Sequence, residues 1–250
     1  MKVSIITTCL NRENTIRMSI ESVLAQDYPD VEYIVVDAAS TDGTIDIINE
    51  YRDRIAKVIC EPDNGMYEGI NKGLRAATGD VIGLVHSDDF LYSPTIISKI
   101  VQRFKTTHCD MVYGNGQYFS NSPHFRIVRD WISKEYDRDK VKHGWLPLHP
   151  TVYVTKEWLN KCGLYDETFK IASDSDWLVR SLYDMTPSVS YINEYIVNVR
   201  MGGLSTATTN TRRKWAEDLR MYRKHGLKPY VTLTRKVLSK IPQFVRAKMK

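Results

Sequence analysis

The apolar positions along the chain alternate between two spacings. Residues 3–8 form a short β-branched run, which predicts a strand. After a polar stretch at 11–14, Ile16, Ile20, Val23 and Leu24 recur at helical spacing, and Tyr28-Pro29-Asp30 ends that helix. Residues 32–36 predict a second strand closing on Asp37. Ser40-Thr41-Asp42-Gly43-Thr44 predicts a turn that caps a helix carrying Ile45, Ile47, Ile48 and Tyr51. A third strand is expected at 57–60 and a helix at 65–77. Thr78-Gly79-Asp80 then turns into the apolar run 81–85. This strand–helix rhythm predicts an α/β fold with a parallel sheet and helices on both faces.

The second half is less regular. Strands are expected at 110–114 and 149–154, the latter after a loop at 143–147, and a short helix at 156–162 is ended by Gly163. In 171–180, acids precede the apolar face of a helix, which suits the positive end of its dipole. Asp174 there reads either as a helix cap or as an acid–base group held at a cap position.

In such sheets, polar residues just past the carboxyl ends of strands face the ligand crevice. Thr8, Asn11, Asp37, Glu61, Asp63, Asp88 and Asp89 all fall at such ends. The run His86-Ser87-Asp88-Asp89 places two carboxylates side by side, where they repel unless a cation lies between them. Neither GxGxxG nor GxxxxGK[ST] is present, so a phosphate would need another counter-charge. Mg²⁺ or Mn²⁺ on the carboxylates is the simplest one.

Composition narrows the class. The chain has 250 residues, 42% hydrophobic and 26% charged, which suits a globular protein with a sizeable core. Apolar runs reach about five or six residues, far short of the ~20 of a spanning helix, and the N-terminus has no signal-like apolar region. The expectation is a cytoplasmic protein. Cys9, Cys60, Cys109 and Cys162 are far apart, which implies reduced thiols. The net charge of +5 is uneven: residues 227–250 carry seven basic residues and no acid, leaving 28 basic and 30 acidic in the first 226. Val237, Leu238, Ile241, Phe244, Val245 and Met249 recur there at helical spacing. A basic amphipathic helix of this kind either lies on an anionic membrane surface or packs on the domain with its charges in water. No nucleic-acid motif accompanies it.

Three blocks together carry a resemblance. KVSIITTCLNRENTIRMSIESVLAQDYPDVEYIVVDAASTDGTIDII and EPDNGMYEGINKGLRAATGDVIGLVHSDDFL resemble the nucleotide-binding half of the inverting glycosyltransferases of family 2. HPTVYVTKEWLNKCGLYDETFKIASDSDWLVR resembles that family's acceptor half. The nearest likeness is to its bacterial branch that builds surface polysaccharides. The resemblance implies a GT-A type fold with a Rossmann-like, mostly parallel central sheet. Residues 1–205 would form the transferase domain, with a nucleotide-sugar half at 1–90 and an acceptor half at 91–205. Residues 206–250 would form a basic helical extension.

The same resemblance assigns roles. Thr8, Asn11, Asp37, Asn71, His86 and Asp88 would bind the donor, Asp88 and Asp89 would hold Mg²⁺ or Mn²⁺, and Asp174 would be the general base. Ala38 and His86 stand where relatives often place acids, so UDP-sugar is the default donor while guanosine and deoxythymidine donors stay open. Tyr67, Glu68, His149, Asp176, Trp177 and Arg200 are further candidates. Trp145 could stack on a sugar, and Arg200 with Gly202-Gly203-Leu204-Ser205 could form a flap on the diphosphate. The acceptor would be a saccharide or a lipid-linked saccharide. Two other classes compete: a nucleotidyltransferase that makes nucleotide sugars, which would want a glycine-rich basic loop after the first strand, and a non-enzymatic membrane-surface module driven by the tail.

Overall fold

A computed structural model describes residues 1–120, 126–202 and 211–248. The first half follows the predicted rhythm: β1 (Val3–Cys9), α1 (Ile16–Leu24), β2 (Val31–Asp37), α2 (Thr44–Glu50), β3 (Lys57–Cys60), α3 (Met66–Ala76) and β4 (Val81–Leu84). After it come β5 (Phe90–Leu91), α4 (Ile96–Thr107), β6 (Met111–Phe119), β7 (Ile127–Trp131), α5 (Arg138–Lys142), β8 (Tyr153–Thr155), α6 (Lys156–Cys162), α7 (Ser173–Val179) and β9 (Val189–Arg200). Three helices close the described chain: α8 (Thr211–Lys224), α9 (Pro229–Leu238) and α10 (Ile241–Lys248).

The strands form one mostly parallel sheet, ordered β3-β2-β1-β4-β8-β6-β9-β5, with β7 paired to β6. The β1–β2, β1–β4, β2–β3 and β6–β9 pairs are parallel, while β8, β5 and β7 run against their neighbours. Side chains alternate across the pleat, so each strand feeds two cores. Ile6, Ile34, Val36, Ile82 and Leu84 face α3, α6 and α7. Ile5, Tyr33, Val35 and Val81 face α1, α2 and α4. Gly83 lies where a Cβ would collide with the Tyr153 ring, so the glycine lets β8 seat that ring against β4.

Two expectations about elements change. Residues 149–154 are not one strand. His149–Thr151 is a turn of 3₁₀ helix with Pro150 inside it, and Thr151 Oγ1 donates to Leu148 O at 2.7 Å, so pairing starts only at Tyr153. The basic tail is also not one helix. It breaks between Leu238 and Ile241, with Pro242 at the start of α10. Nor is it held apart from the domain: Met221, Tyr222 and Leu227 are buried in the same core as α3 and α7. Met249 and Lys250 lie outside the described residues.

Candidate functional site

β2 and β3 lie on one side of β1, whereas β4 lies on the other. The helices after β1 and β2 cover one face, and α3, which leads to β4, covers the opposite face. The chain therefore parts at the carboxyl ends of β1 and β4, and a crevice opens there. It holds a cavity of about 790 Å³, the size of a small-molecule site.

The turn after β4 forms its base. Ser19 Oγ donates to His86 O and Asp89 O, at 3.0 and 2.6 Å, and Asp89 N donates to His86 O at 3.0 Å. With the turn fixed this way, the two acids have different surroundings. Asp88 is half-buried on the cavity wall. Asp89 is 1% exposed, and its Oδ1 accepts from Arg200 N at 2.9 Å, which ties the turn to the end of β9. Burial first and then Asp88 push the Asp89 carboxyl well above the usual range, against the pull of Arg200. A cation beside both acids would reverse that.

His86 also faces the cavity, with its ring 6.1 Å from that of His149. Burial holds both imidazoles below their ordinary value, His149 down to about 4, while Asp88 and Asp174 pull His86 the other way. His149 Nε2 shares a 2.7 Å hydrogen bond with Tyr165 Oη.

Asp174 enters from α7. Ser175 N donates to its Oδ1 at 2.6 Å and Tyr67 Oη approaches at 3.4 Å, while Tyr67 also donates to Ile171 O at 2.8 Å. Burial keeps the Tyr67 phenol protonated. Its single proton is directed at Ile171 O, the nearer acceptor, which leaves Asp174 a long second contact.

Thr8, Tyr67, His86, Asp88, Asp89, His149, Asp174 and Arg200 thus meet around one space. The other expected site residues do not reach it. Asn11, at φ +52°, accepts from Thr41 N at 2.9 Å and braces the loop after β2. Asp37 is fully buried and accepts from Ser40 N at 2.8 Å, supporting the same loop from below. Asn71 spends its amide on Tyr165 and Glu167, and Glu68 caps Asn64. Asp176 stands two residues from Asp174, so it points to the opposite side of the helix. There it is buried and pairs with Lys224 and His225. Trp177 is 2% exposed and donates to Gly163 O, a core role. Trp145 reaches the cavity edge but donates to Ser133 O and packs on Tyr113. Of the expected flap, Gly203, Leu204 and Ser205 lie outside the described residues.

Among the described residues, no group of three His, Cys, Asp or Glu side chains encloses a metal. One accessible carboxylate with a buried neighbour instead fits an ion that completes its shell with substrate phosphates and water, as Mg²⁺ does. Sequence reasoning missed Arg129, Lys214, Asp218, Lys236 and Lys240, which wall the far side of the cavity. Lys236 and Lys240 were visible only as tail charge.

Comparison with known proteins places the chain in a family and a fold. The model of the family described as "Glycosyl transferase family 2" matches residues 4–169. Glycosyltransferase GlyA of Streptococcus pneumoniae is 28% identical over 243 residues, covering 87% of this chain and 33% of GlyA. A PGL/p-HBAD biosynthesis glycosyltransferase of Mycobacterium bovis is 25% identical over 239 residues, covering 93% and 90%. Residues 1–349 of S. aureus TarS, solved with UDP-GlcNAc, superpose with a TM-score of 0.71 at 20% identity, covering 88% of this chain and 65% of that one. The mannosyltransferase PcManGT of Pyrobaculum calidifontis, solved with GDP-Man and Mn²⁺, gives 0.66 at 16% identity, covering 98% and 73%. The chain thus spans about a third of GlyA and most of the mycobacterial relative.

Proposed function

Because the chain belongs to glycosyl transferase family 2, we propose that it moves a sugar, with inversion, from a nucleoside-diphosphate sugar to a hydroxyl of a saccharide or lipid-linked acceptor in surface polysaccharide synthesis. The observation that carries this reading is that Asp88 and Asp174, far apart in sequence, line one cavity at the switch point of the sheet.

The chemistry follows from these two carboxylates. The acceptor oxygen attacks the anomeric carbon from the face opposite the diphosphate. The new C–O bond forms as the bond to the diphosphate breaks, and the bonding pair leaves with the diphosphate. Asp174 takes the hydroxyl proton, an effect typically worth about 10²–10⁴-fold. The Ser175 amide orients its carboxylate, with the Tyr67 hydroxyl a longer contact. Mg²⁺ or Mn²⁺ held by Asp88, with Asp89 behind it, would stabilise the charge on the leaving diphosphate as a Lewis acid. Thr8 and the loop braced by Asn11 and Asp37 would shape the nucleoside side. A UDP-sugar is the default donor; TarS was solved with UDP-GlcNAc and PcManGT with GDP-Man.

No helix among the described residues is long and apolar enough to cross a membrane. The last two helices do leave Val237, Leu238, Ile241, Phe244 and Val245 42–57% exposed among basic residues, which supports peripheral contact with an anionic membrane.

The test is a donor screen with Mg²⁺ or Mn²⁺. Slow release of nucleoside diphosphate from UDP-, GDP- or deoxythymidine-diphosphate sugars is expected, with no acceptor added. Pyrophosphate as the product would point instead to a nucleotidyltransferase, and neither binding nor turnover of any donor would overturn the reading.

A further inference from the structure

The far wall of the cavity is built by the C-terminal helices and is strongly cationic. Lys214 of α8, Lys236 of α9, Lys240 in the break before α10, Arg246 of α10 and Arg129 of β7 all line it. The acids facing them are Asp218, bonded to Lys236 at 2.9 Å, and Asp174. Cations gathered in a half-buried wall oppose one another and lose hydration, so the fold bears a cost there. Lys240 shows it: burial first, then Lys236, Lys214 and Arg129, hold its amine down to about 7.

Arg129 is the most constrained member. It is 6% exposed, and its guanidinium lies 4.3 Å from the Trp131 ring centre, 4.9 Å from Tyr118 and 5.5 Å from Phe244. Nε donates to Gln243 Oε1 at 2.5 Å, while Nη2 is buried with no hydrogen-bond partner among the described residues. A guanidinium fixed by three rings, with donors left over at a cavity wall, is matched to a phosphate oxygen.

The donor's own diphosphate does not account for this wall. Its charge would be offset by a divalent cation held at Asp88, across the cavity from these residues. The wall also borders the acceptor side, because Lys236 Nζ lies 3.4 Å from Ser175 Oγ, next to Asp174, the residue proposed to take the acceptor's proton. We propose that Arg129, Lys214, Lys236 and Lys240 form a phosphate subsite for the acceptor, so that the molecule glycosylated carries a phosphate or diphosphate near its reacting hydroxyl. This rests on reading the cleft as a glycosyl-transfer site.

The experiment titrates inorganic phosphate into the full chain saturated with UDP and Mg²⁺, followed by calorimetry. Saturable one-to-one binding is expected. Lys214→Gln with Lys240→Gln removes two charge-assisted contacts and should weaken phosphate by at least about tenfold, with Lys240→Arg close to wild type. UDP affinity should stay within about twofold in every variant. Absence of saturable phosphate binding to the wild-type chain would overturn the subsite. Equal losses for phosphate and UDP would assign the wall to the donor and overturn it as well. If neither UDP nor GDP binds, the transfer reading fails, while phosphate binding to the chain alone still reports on the wall. Phosphatidylcholine vesicles with and without a polyprenyl phosphate separate the sources. Retention that needs both the polyprenyl phosphate and the two lysines places the phosphate on a lipid. Phosphate binding without such retention places it on a water-soluble saccharide.

Discussion

Asp88 and Asp89 are adjacent, yet one opens on the cavity and the other is locked to the Arg200 amide. Substitutions should separate these roles. Asp88→Ala should remove metal-stimulated binding of UDP, measured by calorimetry with and without Mn²⁺, and leave the thermal midpoint near wild type because the side chain is half-exposed. Equal affinity in the two conditions for wild type and variant would remove Asp88 as the metal-holding residue. Asp174→Asn should keep UDP affinity and cut transfer by at least about 10², the lower end for a positioned base. Turnover near wild type would show that another group takes the proton. Much of this was legible in the sequence, since Asp88 and Asp174 lie within recognisable motifs. The opposite orientations of Asp174 and Asp176 follow from helical geometry, yet the resemblance had offered both as site residues. The burial of Asp89 was not, because it depends on β9 arriving from more than a hundred residues away.

At the scale of elements, α7 and α8 are clipped together by Asp176, Lys224, His225 and Asp184. Burial lowers the His225 imidazole, but hydrogen bonds to Asp176 and Asp184 outweigh it and raise it overall. A group whose folded value is raised stabilises the fold below its unfolded value, near 6.5, and loses that contribution as pH rises through the folded value. The clip should therefore weaken as pH is raised from about 6 to about 8.5, while the depressed Lys240 amine works in the opposite direction in both wild type and variant. His225→Gln should lower the midpoint at pH 6 by more than at pH 8.5, each kcal/mol being worth about 2–4 °C in a chain of this size; a difference that does not change with pH would rule the clip out. The pattern of the chain could place α7, and it could not place α8 beside it. Its apolar spacing says that a helix buries a face, and leaves open which surface receives it. The same limit explains 149–154, where alternation suggested a strand but Pro150 and the Thr151 hydroxyl made a turn.

At the scale of the molecule, the C-terminal helices complete both the core and the cavity. Ending the chain at about residue 206 should remove Met221, Tyr222 and Leu227 from the core, at roughly 1.5–3 kcal/mol for each buried side chain. That is comparable with the whole stability of a domain, so a broadened or absent calorimetric transition is expected rather than a trimmed enzyme. A sharp transition near the full-length midpoint would show the helices to be dispensable. The outer face of the same helices is tested separately. Leu238→Ser with Ile241→Ser, both 57% exposed, should reduce co-sedimentation with anionic vesicles and leave the thermal midpoint within a degree or two. Equal sedimentation would sink the membrane contact.

By itself the sequence determined the strand–helix order of the first half, the family, and the acids proposed to carry the chemistry. These depend on local periodicity and on short motifs, in which each residue's neighbours are its chain neighbours. The tertiary structure decided which of two adjacent acids is free, which expected donor residues are braces behind the wall, and where the tail's charge goes. Basic residues near a chain end look alike until packing turns Lys236, Lys240 and Arg246 toward the cavity and leaves Lys228, Arg235 and Lys248 in water. Charge is written in the sequence, but the field that a charge makes depends on what is folded against it.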